Sequence, residues 1–380
     1  MAQDFFRIFP EKPNFQFVKY SGVFFTISIL FLLTCLFFLF TRGLNYGVDF
    51  QGGSEVYVRL KSASTVNDIR KSLEPIGYSD ASVQSYGDAD KNEFIIRVPS
   101  ENLQLVNHQT QFQTALNSVS GTPAKIRFSE ERLYVTYDSP QEPVKIQTAM
   151  NESSVQNLKV QSVSKFGRAS QNEYVVQFAG VSARIIEALE KSFEKANVEV
   201  LQTEEVGEKV GSELRTQALG AVLISIIFIL LYIWFRFDFE YAPGAILALI
   251  HDAMAVLGIF SILRLQFDLT SIAAVLTIVG FSINDTIVTY DRIRENMKNL
   301  TTDFPNLINT SINETLGRTI LTSMTLFMAC LILYFFGGPI TQNFAFALCV
   351  GLISGTYSTI FIASPLTIYI RRYMQQKSAK

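Results

Sequence analysis

Charge is scarce in this chain of 380 residues: Asp, Glu, Lys and Arg make up 17% of it, against about a quarter in soluble domains. Histidine occurs twice, tryptophan once and cysteine three times. With only His108 and His251, a multi-histidine zinc site is excluded, and no loop carries the carboxylate spacing of a hard-cation site. Cys35, Cys330 and Cys349 all sit in apolar runs, which argues against a disulfide framework or a metal cluster. A net charge of −2 leaves no electrostatic footprint for nucleic acid. Nucleotide loops, nucleophile elbows and metal motifs are missing too, so the sequence points away from an enzyme and implies no cofactor. What is abundant is apolar: 48% of residues are hydrophobic and 32 are Phe, so lipid is expected as part of the solvent.

A helix crossing a hydrocarbon core of about 30 Å needs roughly 20 apolar residues. Runs of that length predict spans at 21–41, 216–235, 241–263, 269–290, 319–336 and 343–370, interrupted by charge only at Asp252 and Asp285. The first is too long for a signal peptide and is read as a retained anchor. Gly337, Gly338 and Pro339 mark the turn between the last two. Positive residues then fall on one side: Arg7, Lys12, Lys19, Arg236, Arg292, Arg294, Lys298, Arg371, Arg372, Lys377 and Lys380, against Arg264 on the other. Both termini, 1–20 and 371–380, are therefore expected in the cytoplasm, as is the loop from Asp291 to Gly317. Its Arg292 and Arg294 are placed to meet anionic lipid headgroups. The segment between the first two spans is expected outside, which in a bacterium with two membranes is the periplasm.

That segment repeats itself after about 77 residues. Tyr57-Val58 matches Tyr134-Val135, Ser82 to Ser85 matches Lys159 to Ser162, and Asn92-Glu93-Phe94 matches Asn172-Glu173-Tyr174 at a slightly larger offset. β-Formers alternate at 54–60, 80–86, 93–98 and 124–128, with helical periods near 65–75 and 104–119. The order predicts two tandem ferredoxin-like (βαββαβ) units, over 42–130 and 131–214, packed together or hinged.

Three segments carry a family resemblance: GVDFQGG at 47–53, HDAMAVLG through NDTIVTYDRIREN at 251–296, and LGRTILTSMTLF at 316–327. In order, spacing and placement against six spans they resemble the SecF family, the smaller half of the SecD–SecF accessory complex of the bacterial protein translocase. The resemblance implies an RND-like half-bundle in the inner membrane, driven by the proton-motive force. It also implies partnership with a SecD-like subunit, the SecYEG translocon and YajC, and action on unfolded secretory polypeptide. Two external copies are a departure, since most members carry one.

The residues themselves support proton coupling, because an ionisable group in a bilayer is costly unless paired or wetted. Helical spacing puts Ser282, Asp285 and Thr289 on one face of the fourth span. Arg318 enters the fifth span from the same side, with Thr322 and Thr325 continuing its stripe. An approaching guanidinium favours the carboxylate and burial disfavours it, so moving the arginine would load and release a proton; a static ion pair is the alternative. In SecF-like proteins the positions matching Asp285 and Arg318 are those implicated in proton conduction. Asp252 and His251, mid-span, are further candidates for the proton path, or else hydrogen-bonded packing residues. Gly47, Asp49, Gly52 and Gly53 read as a structural corner or as a transmitter of span motion. Gly351 and Gly355, with Ser358, allow close helix approach. A solute or lipid exporter built on the same half-architecture is the competing function.

Overall fold

The computed structural model describes residues 13–86, 91–99, 109–129, 132–152, 160–167, 172–236, 239–299 and 301–378. Arg7, Lys12, His108, Lys159 and Lys380, and the start of the helix expected from 104, lie outside the described residues. The chain divides into two units, residues 1–47 with 214–380, and residues 48–213. Among the described residues, six helices are long and apolar enough to cross a membrane.

The chain enters the first unit through α1 (Phe17–Arg42), which stops at Gly43 with φ +63°, and the two-residue strand β1 (Asn45–Tyr46). The second unit then opens on α2 (Val48–Gln51), β2 (Gly53–Leu60), α3 (Val66–Leu73), β3 (Ser82–Tyr86) and β4 (Glu93–Pro99). It continues through α4 (Gln109–Ser120), β5 (Lys125–Ser129), β6 (Arg132–Thr136), α5 (Pro143–Glu152), β7 (Val160–Phe166) and β8 (Glu173–Phe178). It closes with α6 (Val181–Phe193) and β9 (Val198–Val206).

The repeat is visible in backbone detail. Asn92 and Asn172, equivalent in the two copies, both hold positive φ, at 49° and 42°. Their carbonyls accept the N–H groups of Leu60 at 3.0 Å and Tyr137 at 3.1 Å, so each closes the same turn onto the same strand. Tyr57 meets Tyr86 edge-on, and the matching Tyr134 meets Phe166 edge-on.

The copies are not consecutive blocks, however. One sheet has the order β3-β4-β2-β9 and the other β5-β6-β8-β7. The boundary expected at 130/131 is thus corrected by the strands. The last helix and strand of the first copy, α4 and β5, join the second copy, while α6 and β9 return to the first. β9 runs antiparallel to β2 from Gly53↔Val206 to Leu60↔Val198, and β5 pairs with the adjacent β6. Two separate cores result. Val56, Val58, Ile69, Ile96, Ile185 and Leu189 belong to one; Phe112, Leu116, Leu133, Ile146, Tyr174 and Val176 belong to the other. A hairpin between β5 and β6 is the cheapest pairing open to β5, because loop-closure cost grows with the length of chain enclosed.

The remaining elements are α7 (Glu208–Arg236), α8 (Ala242–Leu263), β10 (Gln266–Phe267), α9 (Leu269–Asn299), α10 (Phe304–Phe336), α11 (Pro339–Ser358), a π turn (Thr359–Ala363) and α12 (Ser364–Ser378). α10 and α11 are separated at Gly337 and Gly338, with Pro339 at the first position of α11, where its missing N–H costs nothing. The expected loop from Asp291 to Gly317 is mostly helical instead, since α9 and α10 run on past their apolar stretches. Polar zippering explains it: Arg292 donates to Glu314 at 2.6 Å, and Asn296 donates to Ser311 at 3.0 Å and to Glu314 at 2.7 Å. β1 and β10 form a short parallel pair that no periodicity announced.

Candidate functional site

Small residues determine where the polar groups of the first unit meet. A Cβ on Gly351 would collide with Ile278, and one on Gly355 would lie 3.1 Å from Ser282 Cβ, so α11 presses its backbone against α9. On α8, Ala245, Ala248 and Ala255 are buried and allow a similar approach. Close backbones bring short hydroxyl side chains within reach of an acid that longer residues would hold apart.

That acid is Asp252 on α8, which is 0% exposed. Its Oδ2 accepts from Ser282 of α9 at 2.5 Å and from Ser358 of α11 at 2.8 Å. Its Oδ1 accepts from Ser354 of α11 at 2.6 Å and lies 3.1 Å from His251 Nδ1. The acceptor positions of a carboxylate number about four, and these groups fill them. Three helices are thereby tied to one side chain. The His251 ring stacks on Tyr357, with centroids 5.8 Å apart, and its Nε2 has no hydrogen-bond partner among the described residues.

Asp285 lies on the same buried face of α9 as Ser282 and Thr289. The Thr289 hydroxyl turns back to the Asp285 carbonyl at 3.1 Å. Ser323 of α10 faces the carboxylate and accepts from Thr356 of α11 at 2.9 Å. The residue after Asp285 on α9, Thr286, meets Thr359 of the π turn at 3.0 Å. The extra residue of a π turn frees carbonyls, and here Ser364 donates to Thr359 O at 2.8 Å and Tyr290 to Ala363 O at 3.0 Å.

Arg318 is exposed and acts on Asp285 only through space; no ion pair joins them. Thr322 and Thr325 are exposed as well, bonded to the carbonyls of Arg318 and Leu321 in their own helix. The polar face that α10 turns inward carries Thr319 and Ser323, one position round from the expected stripe.

The GVDFQGG motif is divided between the two units after Gly47. Gly47 N donates to Phe267 O at 2.9 Å, extending the β1–β10 pair. In the second unit Gly52 has φ +73°, and a Cβ there would lie 2.7 Å from Glu208 Cα; one on Gly211 would lie 2.8 Å from Gly52 N. Gly211 is the partner that the motif did not reveal. Asp49 lies in the first turn of α2.

Residues 185–373 match the family model described as protein export membrane protein SecD/SecF, C-terminal, and residues 37–64 match the SecD/SecF GG motif. The chain is 34% identical over 374 residues to the protein translocase subunit SecF of Koribacter versatilis, covering 94% of this chain and 92% of that one. With the SecF of Petrotoga mobilis it shares 34% identity over 375 residues, covering 96% and 100%. It is similar to the crystal structure of SecDF, a translocon-associated membrane protein from Thermus thermophilus, at TM-score 0.65 and 29% identity over 96% of this chain. This chain spans 40% of the length of that SecDF chain.

Proposed function

The chain belongs to the SecF family of protein-export membrane proteins, and we propose that it is the proton-driven accessory subunit assisting late translocation and release of secreted polypeptide. The observation that carries the mechanism is Asp285: a buried carboxylate that faces Ser323 of α10, the same helix that carries the exposed Arg318. Such a group changes charge when the cation moves. In this reading Arg318 and Asp285 form the exchanging pair, and Ser282, Thr289 and the inward Ser323 shape the path. Asp252 and His251 stand beside it as the anchor of α8, α9 and α11. The subunit is non-enzymatic and takes its energy from the gradient.

Arg318 gives α10 an exposed charge that a lipid tail cannot satisfy. We assign the face that carries it to a SecD-like subunit, which completes an RND-like bundle, and assign SecYEG and YajC as further partners. The site belongs in the bacterial inner membrane, with both termini cytoplasmic and the repeat unit periplasmic. Each sheet with its two helices reads as a ferredoxin-like unit whose final helix and strand come from the other copy. Gly52 and Gly211 make the corner through which span motion reaches it.

The test is replacement in a strain depleted of the chromosomal subunit. Asp285→Asn and Arg318→Met should abolish proton-gradient-dependent export in pulse-chase assays while leaving the protein inserted. Normal late-stage secretion in the Asp285→Asn strain would overturn the reading.

A further inference from the structure

Between the first half of α1 and the start of α12 runs a groove of about 290 Å³. Ser21, Gly22 and Phe25 form one wall, and Ile362, Pro365 and Tyr369 the other. Two features open it. Gly22 leaves empty space where a side chain would stand, with nothing within 4 Å of a Cβ there. Across from it, the π turn and Pro365 keep α12 from closing against α1. The groove shares no side chain with Asp252 or Asp285 or with the groups bonded to them.

Its walls are apolar, and its end nearer the chain termini is basic. Lys19 lies two residues before Ser21, and Arg372 three residues after Tyr369; both are exposed. At a rise of about 1.5 Å per residue, each charge stands within one helical turn of the groove. Neither α1 nor α12 contains an acidic residue to neutralise them. Tyr20 and Tyr369, both more than half exposed, flank the same end, as expected at a headgroup boundary. An apolar slot with two cations at its polar end that no carboxylate among the described residues pairs with matches one ligand chemistry: an acyl chain joined to an anionic phosphate.

We propose that this groove is a binding site for an anionic phospholipid, its acyl chain between α1 and α12 and its phosphate held by Lys19 and Arg372. The site is independent of the export reading. The full-length protein, purified in mild detergent, is titrated with phosphatidylglycerol or phosphatidylcholine and examined by native mass spectrometry. The wild type should retain one phosphatidylglycerol and release phosphatidylcholine. Lys19→Gln with Arg372→Gln should weaken retention about thirtyfold, each basic residue near an anionic lipid being worth about 1 kcal/mol. Gly22→Phe, whose Cβ has open space around it, should abolish retention of the bound chain. Equal retention of both lipids, or unchanged retention in the charge variant, would overturn the site. So would crosslinking of Gly22→Cys to a helix of a co-purified subunit, which would make the groove a protein contact.

Discussion

At Asp252 and Asp285 the same residue type is held in opposite ways. Asp252 has its acceptor positions filled by three serines and a histidine on three helices, an arrangement suited to staying put. Asp285 faces a single hydroxyl, that of Ser323, and forms no ion pair with the exposed Arg318, an arrangement suited to change. Removing a donor from the first leaves a buried carboxyl group under-satisfied, at about 1–3 kcal/mol. Ser354→Ala should therefore lower the unfolding midpoint of the purified protein and impair function in proportion to its loss of abundance. Ser323→Ala should change the pH dependence of export activity with little change in that midpoint. The reverse pattern would exchange the two roles. Asp285, Ser282 and Thr289 were legible in the sequence because helical spacing alone puts them on one face. Ser323, Ser354 and Thr356 were not, because a hydroxyl in an apolar helix ordinarily bonds to its own backbone, as Thr322 and Thr325 do. Only the approach of a second helix distinguishes the two cases.

Among the elements, the two repeated turns show what local sequence does specify. Asn92 and Asn172 occupy left-handed backbone ahead of β4 and β8, a conformation that asparagine and glycine tolerate and β-carbon-bearing alanine resists. Asn172→Ala should cost about 1 kcal/mol, while Asn172→Gly should be close to neutral. Denaturant unfolding of the isolated variants against the parent chain measures both, and an equal cost for the two would show the side chain, rather than φ, to matter. Helices follow a similar division. Their existence was written in charge-free runs, and the α10–α11 turn in Gly337-Gly338-Pro339. Their true ends were not, because α9 and α10 extend through polar residues whose stabilising partner is the neighbouring helix, as with Arg292 and Glu314. Periodicity also found the fifth span's polar face but not its direction, which depends on what surrounds α10.

For the whole molecule, the exchange of α4–β5 against α6–β9 decides which segments can be removed together. Similarity between copies identifies equivalent strands, yet it is silent on which equivalent strand pairs with which, since β5 and β9 fit either edge by pattern. Pairing makes residues 109–178 a complete insert with its own sheet and core, while 181–206 completes the first sheet. Deleting 109–178 should therefore leave β2, α3, β3, β4, α6 and β9 with every native partner strand. That shortened chain should insert, resist proteolysis over the remaining external residues, and unfold cooperatively. Deleting 131–206 should do the opposite. It strips β9 from the whole length of β2 and removes Val181, Ile185, Ala188 and Leu189 from the core of the first sheet. At about 1.5–3 kcal/mol for each large apolar side chain, that loss approaches the stability of an entire small domain. Limited proteolysis of the two deletions in membranes separates the alternatives: protection of the second but not the first would restore two consecutive units. Export activity in the first deletion then reports what the insert adds, because the membrane site and the Gly52–Gly211 corner are untouched by it.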